Sequence, residues 1–140
     1  MKKILTLIAA AILMPAFGSD FPAGSPKFGT NYEAALKSAA KEGKPVVLVF
    51  SAVWCPPCQS MKKNVYPSAE VKPMHDQFIW AYLDVDEEAN AKVAEQFKVQ
   101  GIPHIQFLSK DGKSLGNQIG GVSPAEFAGI LSKVSSKAAK

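Results

Sequence analysis

Arginine is missing altogether from this 140-residue chain; all 16 of its basic residues are lysines. Base-edge readout and bidentate phosphate clamping lean on the guanidinium fork, so a dedicated nucleic-acid binder is not expected. Cysteine is nearly as scarce. Two residues exclude an iron–sulfur cluster and allow at most one intramolecular disulfide. Charged residues make up only 20%, but 47% are hydrophobic, so intrinsic disorder is excluded as well. After residue 18 no apolar run approaches the roughly 20 residues needed to cross a bilayer core. The chain is long enough for one domain with a core that needs no staples.

The N-terminus reads as an export signal. Lys2 and Lys3 supply a positive start, and Ile4 to Met14 is uncharged and mostly aliphatic. Pro15 breaks the run, and Ala16-Phe17-Gly18 puts small residues at positions −3 and −1 of a cleavage site. The apolar run is too short for a membrane anchor. Residues 1–18 are therefore expected to be removed, taking the formal charge from +4 to +2. The remaining protein is expected in the periplasm or secreted, without membrane insertion and where thiols tend to be oxidised.

Residues 19–29, with Pro22, Gly24, Pro26 and Gly29, read as an irregular leader, residues 30–134 as the domain, and 135–140 as a frayed tail. Thr30 to Glu33 fits a capping box opening a helix that Gly43 closes. Val46 to Phe50 is a short β-branched run behind Pro45, the pattern of a strand buried on both faces. A helix from about Pro57 to Val65 follows, then a second strand over Phe78 to Leu83 and a helix over Ala89 to Phe97. His104 to Leu108 and Leu115 to Ile119 read as a hairpin. Ser123-Pro124-Ala125-Glu126 is a second capping box, opening a helix to about Val134. This order implies an α/β fold, a mixed central sheet flanked by helices on both faces.

Trp54-Cys55-Pro56-Pro57-Cys58 lies between a predicted strand and a predicted helix. Two intervening residues on a first helical turn bring the sulfurs within bonding range, and the positive helix end favours a thiolate on the first. Thiolates attack disulfides through a mixed disulfide that a second thiol resolves. Cys55 is the candidate nucleophile and Cys58 the candidate resolving residue. A structural disulfide is the plainer alternative, although so short a loop gains little entropic stabilisation. Zinc could recruit His75 and His104, but they are too far apart in sequence for a finger-type pair. Covalent haem attachment needs His after the second cysteine, and Gln59 stands there. No metal and no cofactor beyond the redox-active pair is expected.

With Trp54-Cys55-Pro56-Pro57-Cys58, the later Gly101-Ile102-Pro103 and the Gly120-Gly121 pair, the chain resembles the thioredoxin family from about Thr30 to Val134. The resemblance implies a thioredoxin-like fold, a cis Ile102–Pro103 bond, and a substrate strand held near Trp54, Pro56, Pro57, Ile102 and Pro103. It implies a thiol–disulfide oxidoreductase acting on protein thiols and disulfides. Pro57 and Ile102 resemble the reducing branch, which outside the cytoplasm needs a membrane electron relay as donor. Oxidase or isomerase activity is the alternative within the family, and a non-catalytic binding module with a structural disulfide the alternative outside it. No seam argues for a dimer, so a monomer is expected.

Two departures matter. Where the family carries a buried Asp six residues before the first cysteine, this chain has Val49, and Tyr82 is read at the position of the family's neighbouring Lys. His104 is a candidate substitute base, its unperturbed pKa lying near 6.5; the plainer reading is a packed strand residue. Neither Pro56 nor Pro57 has an N–H to offer the Cys55 sulfur. The Cys55 pKa is therefore expected below the ordinary thiol value of about 8.5, but not at the extreme of a strong oxidant. Trp54 reads equally as a substrate platform or as a cover for the helix end. Trp80 reads as core, and Asp84 to Glu88 as a solvated corner.

Overall fold

A computed structural model describes residues 21–140; the signal-peptide reading falls outside the described residues. Its five strands are β1 (Phe28–Gly29), β2 (Val46–Ser51), β3 (Ile79–Asp84), β4 (His104–Leu108) and β5 (Ser114–Ile119). They form one sheet in the order β1-β3-β2-β4-β5. The first three run parallel, while β4 is antiparallel to β2 and β5 to β4. The helices are α1 (Tyr32–Glu42), α2 (Pro56–Asn64), α3 (Ala91–Gln96) and α4 (Pro124–Ala138), with short 3₁₀ turns at Lys72–Gln77 and Glu88–Asn90.

Strand alternation divides the core. Val47, Val49, Ile105 and Phe107 meet Met61 of α2, Val65 just beyond its end, and Phe127, Leu131 and Val134 of α4. Val46, Leu48, Phe50 and Leu108 meet Tyr32, Ala35 and Ala39 of α1, with Val93, Ala94 and Phe97 against them from the α3 side. The central strand β2 is buried at every position. It needs the β-branched run because both pleat faces are covered.

The sequence reading needs four corrections here. The leader is not wholly irregular, because Phe28–Gly29 forms an edge strand in register with Trp80 and Ala81. Its aromatics drive this: Phe28 packs edge-on against Tyr66, Trp80 and Tyr82, and Phe21 stacks on Phe28. The Lys62 ammonium lies 4.7 Å from the Phe21 ring centroid, tying the leader to α2. The first helix is capped by Asn31 rather than Thr30, its Oδ1 accepting from Ala34 N at 2.8 Å. The helix expected over Ala89 to Phe97 opens as a 3₁₀ turn, held by Asn90 Nδ2 donating to Asp84 O. The tail expected to fray from residue 135 continues α4 to Ala138, where Ser136 Oγ donates to Ser132 O and Ser135 Oγ to Gln77 Oε1.

Candidate active site

β2 ends at Ser51, and the next four residues turn the chain so that Cys55 becomes the N-cap of α2. Its sulfur takes the place of a capping oxygen, accepting from Cys58 N at 3.4 Å. Pro56 and Pro57 fill the first helical positions, so they add no donor. Cys55 and Cys58 are disulfide-bonded, with Cα atoms 5.2 Å apart. They are 3% and 1% exposed, packed with Ala52, Val85 and Ile102. The Cys55 sulfur lies 3.7 Å from the Ile102 carbonyl oxygen, and the Ile102–Pro103 bond is cis. Pro103 O accepts from Gly120 N at 2.8 Å. Gly120 has a φ of +88°, a conformation that glycine adopts without strain, and it carries the chain to Gly121, where a Cβ would stand 3.7 Å from that of Pro57. The structure therefore brings together Trp54, Cys55, Pro56, Pro57, Cys58, Ile102 and Pro103.

Two struts hold the cysteine loop. Gln59 Nε2 donates to Ala52 O at 2.9 Å, the same carbonyl that accepts from Cys55 N at 3.3 Å. Trp54 Nε1 donates to Asp86 Oδ2 at 2.7 Å, a short charge-assisted bond. Trp54 remains 64% exposed, so its indole stands at the surface. Sequence reasoning missed both partners. Asp86 read as part of a solvated corner, because only the pairing of Ser51 with Asp84 across β2 and β3 brings that corner beside Trp54. Beside the dithiol lies a cavity of about 520 Å³, bounded by Trp54, Pro56, Pro57, Val85, Val99 and Ile102 among others. Of these, Val85 and Val99 carried no sequence signal, being ordinary apolar residues distant in the chain.

His104 is 1% exposed. It stands opposite Phe50, whereas Ile105 stands opposite Val49, so the imidazole lies on the α1 and α3 side of the sheet. Gln106 Nε2 donates to Ser114 Oγ and Gly116 O. Gln106 Oε1 must then accept from His104 Nε2 at 3.0 Å. That placement fits a packed strand residue. On the α2 side, Val49 is fully buried beside Tyr82, whose hydroxyl lies 2.5 Å from Ser51 Oγ. Burial pushes the Tyr82 ionisation up, with the nearby Asp84 charge adding and the Ser51 hydrogen bond opposing. A hydroxyl pair, neutral near pH 7, thus occupies this region of the sheet. Among the described residues no three His, Cys, Asp or Glu side chains gather as a metal site, and no helix is long and apolar enough to cross a membrane.

A family model for a thioredoxin-like domain matches residues 32–135. The chain is 33% identical over 116 residues to the chloroplastic thioredoxin-like protein HCF164 of Arabidopsis thaliana, an alignment that covers 83% of this chain and 43% of that protein. It thus spans less than half of that relative. Among solved structures, a thioredoxin from Thermus thermophilus matches with a TM-score of 0.71 and 28% identity, covering 78% of this chain and 87% of that one. The oxidised C-terminal domain of Neisseria meningitidis DsbD matches with a TM-score of 0.67 and 25% identity, covering 76% and 97%.

Proposed function

The chain belongs to the thioredoxin family, and we propose that it is an exported thiol–disulfide oxidoreductase working chiefly as a reductase of protein disulfides. Its fold and its Cys55–Cys58 pair are those of thioredoxin-like oxidoreductases. The observation that carries the direction is that, among the described residues, Cys58 N is the one backbone donor at the Cys55 sulfur. A strongly oxidising dithiol needs a heavily stabilised thiolate, and the two prolines withhold the donors that would supply one.

In the reducing direction the Cys55 thiolate attacks one sulfur of a substrate disulfide. A Cys55–substrate disulfide forms and the other substrate sulfur leaves as a thiolate that takes a proton. Cys58, deprotonated, then attacks the Cys55 sulfur, releasing the second substrate thiol and closing Cys55–Cys58. Two electrons pass from the dithiol to the substrate. A donor dithiol restores the reduced pair, and a membrane relay is the class of donor that an exported reductase requires. Trp54, Pro56 and Pro57 flank the attacking sulfur, and Ile102 and Pro103 hold the substrate backbone. His104 packs the strand behind them. Export itself rests on Lys2, Lys3 and the apolar run to Met14.

Equilibration of the exported protein with redox buffers of defined potential tests this reading. A midpoint near about −270 mV supports a reductase, and one near about −120 mV makes the protein an oxidant. A Cys58→Ser variant is expected to accumulate a mixed disulfide with its substrate. A disulfide that stays closed at every potential, together with no trapped partner from Cys58→Ser, would leave only a binding module.

A further inference from the structure

The residues lining the cavity beside the dithiol are uncharged, and most are apolar. One wall is built from residues of the 84–100 stretch: Val85, Ala94, Val99 and Gln100 line it directly. That stretch carries Asp84, Asp86, Glu87, Glu88 and Glu95 against Lys92 and Lys98, a balance of −3. Without residues 1–18 the chain stands at +2, so its other residues together carry +5. The net negative stretch of the chain thus supplies four residues of the groove's lining. Asp86, Glu87 and Glu88 follow the groove residue Val85 directly, and all three are exposed. The bond from Trp54 Nε1 to Asp86 fixes where this acidic run stands relative to the groove. Among the described residues neither Glu87 nor Glu88 enters an ion pair.

An apolar groove discriminates weakly between apolar sequences, because one methylene is worth only about 1–3 kcal/mol. Charge at its rim adds selection through encounter, since complementary fields raise association rates by roughly 10- to 10³-fold at low salt. We propose that the groove takes an extended, cysteine-bearing protein segment in which lysine or arginine sits beside the apolar residues flanking the cysteine, the cationic side chains meeting Asp86, Glu87 and Glu88. This rests on the exchange reaction proposed above and adds to it the charge of the partner. A segment with acidic flanks meets like charge at the same rim and associates more slowly.

Three peptides, each with one internal disulfide and the same apolar residues around the cysteines, carry two flanking Lys, Gln or Glu residues. Each is mixed with the reduced protein, quenched with acid, and its remaining disulfide followed by chromatography. At about 10 mM salt, where the Debye length is ~30 Å, the Lys peptide is expected to be reduced about 10-fold faster than the Gln peptide, and the Glu peptide more slowly than both. The Lys-to-Gln ratio is expected to fall towards one at about 1 M salt, where screening acts within ~3 Å. A Glu87→Gln/Glu88→Gln protein is expected to show a markedly smaller ratio at low salt. A ratio of two rates does not depend on how much of the variant is folded. Equal rates for all three peptides at low salt overturn the charge selection while leaving the exchange reaction standing. So does a preference that survives both high salt and the double substitution. If none of the three is reduced, the exchange reaction falls and this proposal with it.

Discussion

Helices α2 and α4 lie side by side on one face of the sheet, and they begin in opposite ways. Val122 N, just before α4, donates to Met61 Sδ of α2 at 3.4 Å, so the two share one packing environment. Both carry proline in the first turn. At α4 the orphan donors are closed off by a full capping box: Ser123 Oγ accepts from Glu126 N at 3.2 Å, and Glu126 Oε2 accepts from Ser123 N at 2.9 Å. At α2 no carboxylate stands in the first turn, and the cap is the Cys55 sulfur. One helix start is built for stability. The other leaves its positive end to a reactive atom, which is where a thiolate gains most from the helix field.

The comparison breaks most sharply at Pro57. A Pro57→Ala variant restores a backbone N–H beside the Cys55 sulfur. One further charge-assisted hydrogen bond of about 1.5 kcal/mol stabilises the thiolate, which corresponds to a midpoint about 30 mV more oxidising. Redox titration of both proteins checks this, and an unchanged or more reducing midpoint would show that the prolines do not limit the donors. A smaller effect follows from opening the stable start. Ser123→Ala is expected to cost about 1 kcal/mol, or roughly 4 °C in melting temperature, with the redox midpoint unmoved. Calorimetry beside the same redox titration separates the two readouts, and a shifted midpoint would mean that the two helix starts are coupled.

The smallest effect concerns acid. Hydrogen bonds from the Ser123 backbone and side chain hold the Glu126 carboxyl below the ordinary carboxylate range. A carboxyl depressed in the folded state contributes stability above its ordinary value, and that contribution is lost as pH falls through the lowered one. Glu126→Gln keeps an acceptor for Ser123 N but does not titrate. Melting temperatures measured from pH 7 down to pH 2.5 are expected to fall less steeply below about pH 4.5 for the variant than for the parent. Parallel curves would remove Glu126 from the account.

The readable parts of the site are those that local rules govern. Cys55, Pro56, Pro57 and Cys58 declare themselves through spacing, a preceding strand and a following helix, and Ser123 with Glu126 through the capping box. Asp86 could not be read this way. Its partner Trp54 lies 32 positions away, and the pair meets only because β2 and β3 run parallel in one particular register. Gln59 was noticed only for not being a histidine; its amide matters because the turn after β2 brings Ala52 O within 2.9 Å. The two-residue strand β1 was too short to carry a periodic signal, although Phe21 and Phe28 were conspicuous apolar residues in an otherwise small and polar leader.

His104 shows the same division. Its place after Pro103 made it a candidate for proton transfer, but whether a strand residue faces one helix layer or the other depends on pairing with Phe50, which no local pattern reveals. The order of elements, the dithiol and the cap of the last helix follow from interactions within a few residues, so the linear chain specifies them directly. The faces of the sheet, the struts on the cysteine loop and the place of the acidic run beside Trp54 depend on strand register and helix packing. Those distances are set only once the whole core has closed.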